Sequence, residues 1–468
     1  MKAARKSLKR QRRKMKKTRR SQARSPRRTL RAAFCRFLPA SIFTKLKPHG
    51  NTEWSMSVLA CFALVFALSG ETTLHDRYVM ATEVAAQWFP GEFIATTYRG
   101  FMRALSTQSP KLIDIIATSL RIHMLREQRM FETIAGLIPF AVDGSKIAAP
   151  WTKQNEKTLG KKGRKPQGKN CKRQETDLRP QLTLTLLWHL GWGLPWAWKH
   201  GGLAEGERTQ FRDLLQQLPR NALVIADAGF VGYQLWKDLL AGGRHFLIRV
   251  GANVELLKEL CPGVQIRRGG EMVWLWPEGM RDKGYPPLAL RLIVVQQGKQ
   301  SWYLVTSLLK PSQLTAAQAQ CLYQQRWGIE CCFRTLKQAF ERGKTRSYTP
   351  ENAGCELDWS LLMLWLLSLL TKQELLNAKI EPQAYSPATA RRLLRRELRY
   401  QAVGCERLDM SELRTAIQDP QKASKNKKAR HDQRKKRDPA PSPPKILTAS
   451  KEQIQHAQDL RKPTKHAA

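Results

Sequence analysis

Four polar residues at helical spacing give this chain its clearest chemical signal. They are Tyr323, Arg326, Glu330 and Lys337. On an α-helix, which turns about 100° per residue, all four fall within about 60° of one face. The neighbouring face is apolar, so the Glu330 carboxylate and its cations would lie where the helix meets a core. This arrangement favours metal and phosphate chemistry, whereas the simpler interpretation is an amphipathic helix with a solvated charged edge.

Two further carboxylates each follow an apolar run that predicts a strand. Asp143 follows residues 140–142, and Asp227 follows residues 222–226. A hairpin is predicted over residues 182–198 and another strand over residues 245–250, so the order indicates an α/β fold with a mixed sheet and crossover helices. An acid at the end of a buried strand must be paired, hydrogen-bonded or metal-bound.

Taken singly, each of these aspartates is more often a turn or helix-capping residue. Together with Glu330 they form a candidate three-carboxylate site for two Mg²⁺ ions. Such a site activates a water and stabilises the leaving oxygen in phosphodiester cleavage. Two other acids, Glu205 and Glu207, precede a predicted helix and are interpreted as helix-start residues favoured by the helix dipole, without a catalytic role.

These residues resemble the DDE transposases of bacterial insertion sequences that carry a tyrosine, arginine, glutamate, lysine signature. The resemblance extends over about residues 138–337. Besides the signature it includes Asp143-Gly144-Ser145, Leu194-Pro195, Asp227-Ala228-Gly229-Phe230 and Phe246-Leu247-Ile248-Arg249. Ala228 departs from the pattern, because a basic residue is frequent at that position in relatives.

The resemblance implies a ribonuclease-H-like mixed sheet with flanking helices, a β-rich insertion at about residues 251–300 and a preceding helical domain. It implies three catalytic metal ligands, which are Asp143, Asp227 and Glu330, for two Mg²⁺ ions that Mn²⁺ can replace. It implies three DNA-binding residues, which are Tyr323, Arg326 and Lys337. The implied partners are double-stranded DNA, as terminal inverted repeats and target, and a second subunit in a synaptic dimer.

Shifts in composition predict five segments. A basic disordered arm covers residues 1–50, and a helical region with a candidate DNA-binding role covers residues 51–135. The catalytic domain covers residues 136–380. C-terminal helices follow over residues 381–420, and a basic disordered tail covers residues 421–468.

The net charge points to a polyanionic partner. The chain has 81 Lys and Arg against 38 Asp and Glu, a formal charge of +43. The first 31 residues hold 16 basic residues and no acid, yet the central region is basic as well. This balance favours nucleic acid as partner. The basic loop at residues 161–173 is a candidate for contact with the DNA backbone.

Apolar spacing predicts helices over residues 72–129, with breaks at Pro90-Gly91 and Ser109-Pro110. The apolar runs at residues 56–68 and 361–370 are shorter than the ~20 residues that a membrane-spanning helix requires, so we expect buried core helices and no membrane. The nine cysteines are odd in number and lack zinc-ligand spacing, which is typical of reduced intracellular thiols. We therefore expect a cytoplasmic, nucleoid-associated protein.

Two other functions share parts of this pattern. A two-metal DNA nuclease or resolvase on the same fold would use the same acids but would not recognise terminal repeats. An inactive DNA-binding relative would bind DNA without metal-dependent cleavage. The intact set of three acids and three polar neighbours favours the transposase.

Overall fold

The computed structural model describes residues 28–46, 53–127, 130–160, 179–261, 270–297, 300–418 and 442–460. The predicted basic loop at residues 161–173 and much of both predicted tails lie outside these residues. The α-helices before the signature are α1 Leu30–Phe37, α2 Met56–Leu68, α3 Leu74–Trp88, α4 Tyr98–Leu125, α5 Lys153–Leu159, α6 Glu207–Leu214, α7 Tyr233–Ala241 and α8 Glu278–Arg281. The later ones are α9 Ala316–Gln325, α10 Trp327–Arg334, α11 Pro350–Asn377, α12 Pro387–Ala402 and α13 Lys451–Asp459.

One mixed sheet forms the centre of the protein. Its strands are β1 Ile138–Ala148, β2 Gln181–His189, β3 Leu194–Gly201, β4 Ala222–Ala226, β5 His245–Val250, β6 Glu255–Lys258, β7 Glu271–Leu275, β8 Leu288–Gln297, β9 Gln300–Thr306 and β10 Lys445–Thr448. They lie in the order β10-β6-β7-β8-β9-β5-β4-β1-β2-β3. The pairs β1/β4, β4/β5 and β6/β10 are parallel and the others antiparallel. This confirms the predicted α/β class with a mixed sheet.

Strand β4 and the β2/β3 hairpin follow the sequence pattern closely. β4 consists of five buried residues, because it is covered on both faces and therefore reads as a continuous apolar run. β2 and β3 form the predicted antiparallel hairpin. In the chain, strands β6, β7 and β8 come between β5 and β9. In the sheet they lie beyond β9 and extend it toward β10. All three fall within residues 251–300, the range predicted for the β-rich insertion.

The helices before the sheet share their core with helices that follow it. α11 is buried over most of its length and packs against α2, α4 and β3. By length and composition α11 could cross a membrane, yet 94% of its most apolar window is buried inside the protein. α2 is buried on all sides, as expected from its uniformly apolar sequence. The two apolar runs therefore form core helices.

The predicted break at Ser109-Pro110 is wrong, because α4 continues through Pro110. Proline removes one backbone hydrogen bond and usually breaks a helix. Here Leu105 before the proline and Leu112 after it are both buried in the common core and hold the two halves in line. Tertiary packing outweighs the local helix-breaking tendency.

Parts of both predicted disordered tails are folded. Helix α1 lies inside the predicted arm of residues 1–50, and Leu30, Phe34 and Phe37 on one of its faces are buried. Residues 442–460, inside the predicted tail, form strand β10 and helix α13. The high charge of these regions predicted disorder, and their short apolar faces were not recognised in the sequence. These faces are buried only when they pack against the rest of the folded chain.

Candidate active site

Asp143 lies in the middle of β1 and not at its end. The strand was expected to end at Val142, but β1 continues to Ala148 because β2 pairs with it from Phe140 up to Ala148, which lies opposite Gln181. On its other side β1 pairs with β4 only as far as Ala141. Asp143 therefore lies just beyond the carboxyl end of β4, with no strand beside it on that side.

Asp227 follows β4 directly, as predicted. It caps a short 3₁₀ turn, where its Oδ1 accepts a hydrogen bond of 2.9 Å from the Gly229 N–H. The last pair of the parallel β1/β4 ladder is Ala141 with Ile225. Two residues further along each strand are Asp143 and Asp227, so both carboxylates emerge at the same edge of the sheet.

Arg326 joins Asp143 to the third acid. Its Nη1 donates to Asp143 Oδ2 at 3.0 Å, and its Nη2 donates to Glu330 Oε1 at 2.8 Å. The Arg326 side chain is only 12% exposed, and α10, which carries Glu330, packs on β1. Asp143 and Glu330 are 187 positions apart in the chain, yet one guanidinium bridges them.

Burial and like charges make the Asp143 carboxyl a weak acid. Burial is the largest cause and raises its pKa to about 6, while Arg326 acts in the opposite direction. The charges of Asp227 and Glu330 raise the pKa further, and the Gly144 N–H, which donates to Asp143 Oδ1 at 2.8 Å, lowers it. Asp227 and Glu330 thus both act on Asp143, and the Arg326 cation opposes their effect.

The donor chemistry fits a hard divalent cation, because Mg²⁺ and Mn²⁺ prefer carboxylate oxygens. However, among the described residues no three His, Cys, Asp or Glu side chains are close enough together to hold a metal ion. The Arg326 guanidinium lies between the oxygens of Asp143 and Glu330. The present arrangement is one in which an arginine balances the acids.

The signature helix is less regular than predicted. α9 ends at Gln325, α10 begins at Trp327, and residues Thr335–Ala339 form a π-turn in which the Phe340 N–H donates to the Thr335 carbonyl. The Thr335 hydroxyl donates to the Cys331 carbonyl at 2.9 Å, which competes with the regular backbone bond. The wider turn rotates Lys337 away from its α-helical position, and π-turns occur frequently at functional sites.

Tyr323 and Lys337 differ in how closely they join the acids. Tyr323 is buried, its ring lies 5.5 Å from the Arg326 guanidinium carbon, and Trp302 packs edge-on against it. Burial raises the pKa of its hydroxyl, while Arg326 and Arg249 lower it. Lys337 is half-buried, which lowers the pKa of its ammonium group, and within the described chain no carboxylate pairs with it.

Glu207 is a carboxylate near the site whose position the sequence analysis did not predict. It is the first residue of α6, as expected, but its carboxyl group lies against Gly144, where a Cβ atom would overlap it. Burial raises the pKa of Glu207, as does the charge of Asp227, while Lys146 lowers it. The available sequence signal was a glycine within a strand, which often marks close approach of another group.

Comparison with known proteins identifies a matching family and a similar transposase. Residues 136–366 match the family described as "Transposase DDE domain". That range contains all three candidate metal ligands and all three signature residues predicted to bind DNA. Over 241 residues the chain is 27% identical to transposase InsG for insertion sequence element IS4 of Escherichia coli strain K12. The match covers 50% of this chain and 51% of InsG, so the chain spans about half the length of that relative.

A solved structure of the piggyBac transposase synaptic complex with hairpin DNA is also similar. The similarity covers 80% of this chain and 78% of that one, at 12% identity and a TM-score of 0.37. A likeness at that score carries no conclusion about fold or mechanism.

Proposed function

We propose that this protein is a DNA transposase that cleaves the ends of an insertion sequence and joins them to target DNA. The observation that supports the proposal is the match to the transposase DDE domain over a range in which Asp143 and Asp227 lie on the paired strands β1 and β4 or directly after them, and Arg326 bridges Asp143 to Glu330. We further propose that the core of the sheet corresponds to a ribonuclease-H-like fold, in which β1 and β4 carry the two aspartates.

Asp143, Asp227 and Glu330 are the proposed ligands of two Mg²⁺ ions, which Mn²⁺ can replace. When bound, such ions activate the attacking water or 3′ hydroxyl and stabilise the departing 3′ oxygen. The protein contributes a half-buried position for all three acids, in which low solvent exposure strengthens their electrostatic interactions. It also fixes the Asp143 carboxylate through the Gly144 N–H and the Asp227 carboxylate through the Gly229 N–H.

Arg326 has two alternative partners in this proposal. In the described structure it neutralises Asp143 and Glu330. A DNA phosphate offers the same guanidinium a bidentate partner of similar strength. When the DNA end binds, Arg326 exchanges the carboxylates for the phosphate, and the acids become available. Tyr323 and Lys337 are the proposed additional phosphate contacts.

The proposed partners are the terminal inverted repeats and the target DNA, both double-stranded. Cutting two ends calls for two subunits, so we propose a dimer in the synaptic complex. The proposed location is the cytoplasm, in association with the nucleoid, where this substrate is found.

The direct test is cleavage of a DNA fragment that carries the gene with its native flanks, in Mg²⁺ or Mn²⁺. Asp227→Ala and Glu330→Ala are compared with wild type, and Asp282→Ala, which removes an exposed aspartate after α8, is the matched control. We expect cuts at discrete flanking repeats for wild type and the control, and none for the other two variants. Scattered nicking would indicate a nuclease, and DNA binding without any cleavage would indicate an inactive relative.

A further inference from the structure

Helix α12 carries five arginines within nine residues. They are Arg391, Arg392, Arg395, Arg396 and Arg399. The face of α12 that packs into the protein is formed by Ala390, Leu394, Glu397, Leu398 and Gln401. At about 100° per residue, the arginines fall into two groups at different angles from this face.

The inner arginine pair, Arg391 and Arg395, flanks the buried face and has structural partners. Both guanidinium groups lie 3.5 Å from Glu341 Oε1. Arg395 also donates to the carbonyls of Leu68 and Ser69, at 2.7 Å and 3.1 Å. These two residues tie α12 to the end of α2 and to the segment after the π-turn.

The outer arginine stripe, Arg392, Arg396 and Arg399, lies opposite the buried face and is exposed. Arg399 is 3.9 Å from Glu71, and within the described residues no carboxylate pairs with Arg392 or Arg396. Glu397, the acid within α12, does not balance the charge of these arginines. It is buried and accepts hydrogen bonds from the backbone N–H groups of Arg407 and Leu408.

An exposed stripe of this kind is costly unless an anion covers it. Like charges three and four positions apart on a helix repel each other and destabilise it. Ordinary surface helices alternate acidic and basic residues at this spacing, which this stripe does not do. The side chains contribute little to packing, because they point away from the core. The charges of Arg392 and Arg396 are therefore available for an external polyanion, and among the described residues Arg399 is held only by its exposed contact with Glu71 at 3.9 Å.

We propose that the outer arginine stripe holds the backbone of the same DNA whose end lies at the proposed active site. This inference rests on the proposed function. At 1.5 Å rise per residue the stripe is roughly 10 Å long, and one DNA strand carries a phosphate about every 3.4 Å along the axis. Three arginines can thus follow about three consecutive phosphates.

The position of α12 favours the terminal duplex, and not the target DNA, as the partner of the outer arginine stripe. α12 packs against the π-turn that carries Lys337, and its inner arginine pair contacts Glu341, which follows that turn. Packed helices lie about 8–10 Å apart, whereas one turn of DNA spans about 34 Å. A duplex held at Lys337 therefore reaches α12 within its first helical turn.

The test compares the salt dependence of binding to duplexes of about 40 base pairs, roughly four helical turns, taken from the flanks of the gene. The variant replaces Arg392, Arg396 and Arg399 by Gln, and a second one replaces them by Lys. A matched control replaces by Gln three exposed lysines toward the far edge of the sheet, which is formed by β10: Lys283 between β7 and β8, Lys445 in β10 and Lys451 shortly after it. Thermal unfolding verifies the fold, and we expect the Gln stripe variant to be at least as stable as wild type, because repulsion is relieved.

Each phosphate contact contributes about 0.9 to the magnitude of the slope of log affinity against log salt concentration. In the Gln stripe variant, which removes three such contacts, the magnitude of this slope should be smaller by roughly 2 to 3. The Lys variant and the far-edge control should keep it. Protection of the flank duplex from hydroxyl radicals should disappear within the first helical turn from the cleaved end. An unchanged slope, or a change seen only with unrelated target DNA, would overturn the proposal. Wild type that neither distinguishes the flanks from unrelated DNA nor cuts them would instead refute the proposed function, and the stripe proposal with it.

Discussion

The bridge made by Arg326 predicts that removal of this residue strengthens metal binding while it weakens the metal-free fold. Arg326→Gln removes the guanidinium that contacts Asp143 and Glu330 at 3.0 Å and 2.8 Å. Glutamine keeps a polar side chain of intermediate length but has no charge. The two acids then lose their shared counter-ion and repel each other.

The magnitude follows from the number and burial of these contacts. Hydrogen bonds to charged groups contribute about 1.5–3 kcal/mol each. The side chains of Asp143 and Glu330 are 16% and 31% exposed, so solvent screens part of this interaction. We expect the variant without metal to lose about 2–4 kcal/mol of unfolding free energy. At roughly 1 °C per kcal/mol for a chain of this length, its Tm should fall by about 2–4 °C.

Metal affinity should change in the opposite direction. In wild type, a metal ion must compete with the Arg326 guanidinium for the carboxylates of Asp143 and Glu330. One such pair of unit charges 4 Å apart is stabilised by about 4 kcal/mol at an effective dielectric constant of 20. Even a third of that value amounts to about tenfold in affinity. Calorimetry with Mn²⁺ in the absence of DNA should therefore show at least about tenfold tighter binding to Arg326→Gln than to wild type. The control is Arg334→Gln, an exposed arginine at the end of the same helix, which contacts neither acid.

Binding of DNA to the wild-type protein should strengthen Mn²⁺ binding, as the Arg326→Gln substitution does. If a phosphate withdraws Arg326 from the acids, DNA and Mn²⁺ must each strengthen the binding of the other by the same factor. This coupling should be absent in Arg326→Gln. Unchanged or weaker Mn²⁺ binding by a folded Arg326→Gln protein, or equal coupling in variant and wild type, would refute the reasoning.

Three more predictions concern neighbouring residues. Glu207→Gln should weaken Mn²⁺ binding severalfold, because the charges of Glu207 and Asp227 interact. The control Glu205→Gln, which changes an exposed acid two residues earlier, should leave Mn²⁺ affinity unchanged. Equal affinities of the two variants by calorimetry would show that Glu207 is only a helix-start acid. Gly144→Ala should reproduce the Glu207→Gln result, since the added methyl overlaps the Glu207 carboxyl; wild-type Mn²⁺ affinity in the folded variant would contradict this. Lys337→Ala should weaken binding of flank DNA and reduce the slope of log affinity against log salt by about 1. Mn²⁺ affinity in the absence of DNA should not change. A loss of Mn²⁺ binding would show that Lys337 supports the metal site and not the DNA contact.

Local patterns predicted the elements that depend on local interactions. β4 is a five-residue apolar run, and Asp227 at its end needs only the turn that follows. The β2/β3 hairpin is likewise local. The signature stripe identified Arg326 and Glu330 as neighbours, because residues four positions apart on a helix share a face. The sequence could therefore predict these pieces of the candidate site before any contact was known.

Long-range pairing decided what the sequence could not predict. Asp143 lies within β1 because β2, more than thirty residues later, continues the ladder past it. Glu207 reaches Gly144 only because α6 packs across β1 and β2. Helix α1 was concealed by the basic residues around it, and its apolar face becomes meaningful only against the core.

The parallel pairing of β10 with β6 has a consequence for how the chain is made. β6 is complete once residue 258 is synthesised, but its outer edge is covered only by residues 445–448. During synthesis the nascent sheet thus presents unpaired N–H and C=O groups until residues 445–448 leave the ribosome. An edge of this kind can pair with another chain. A protein truncated before β10 should therefore be recovered largely as aggregate, even though every residue of the candidate active site is still present.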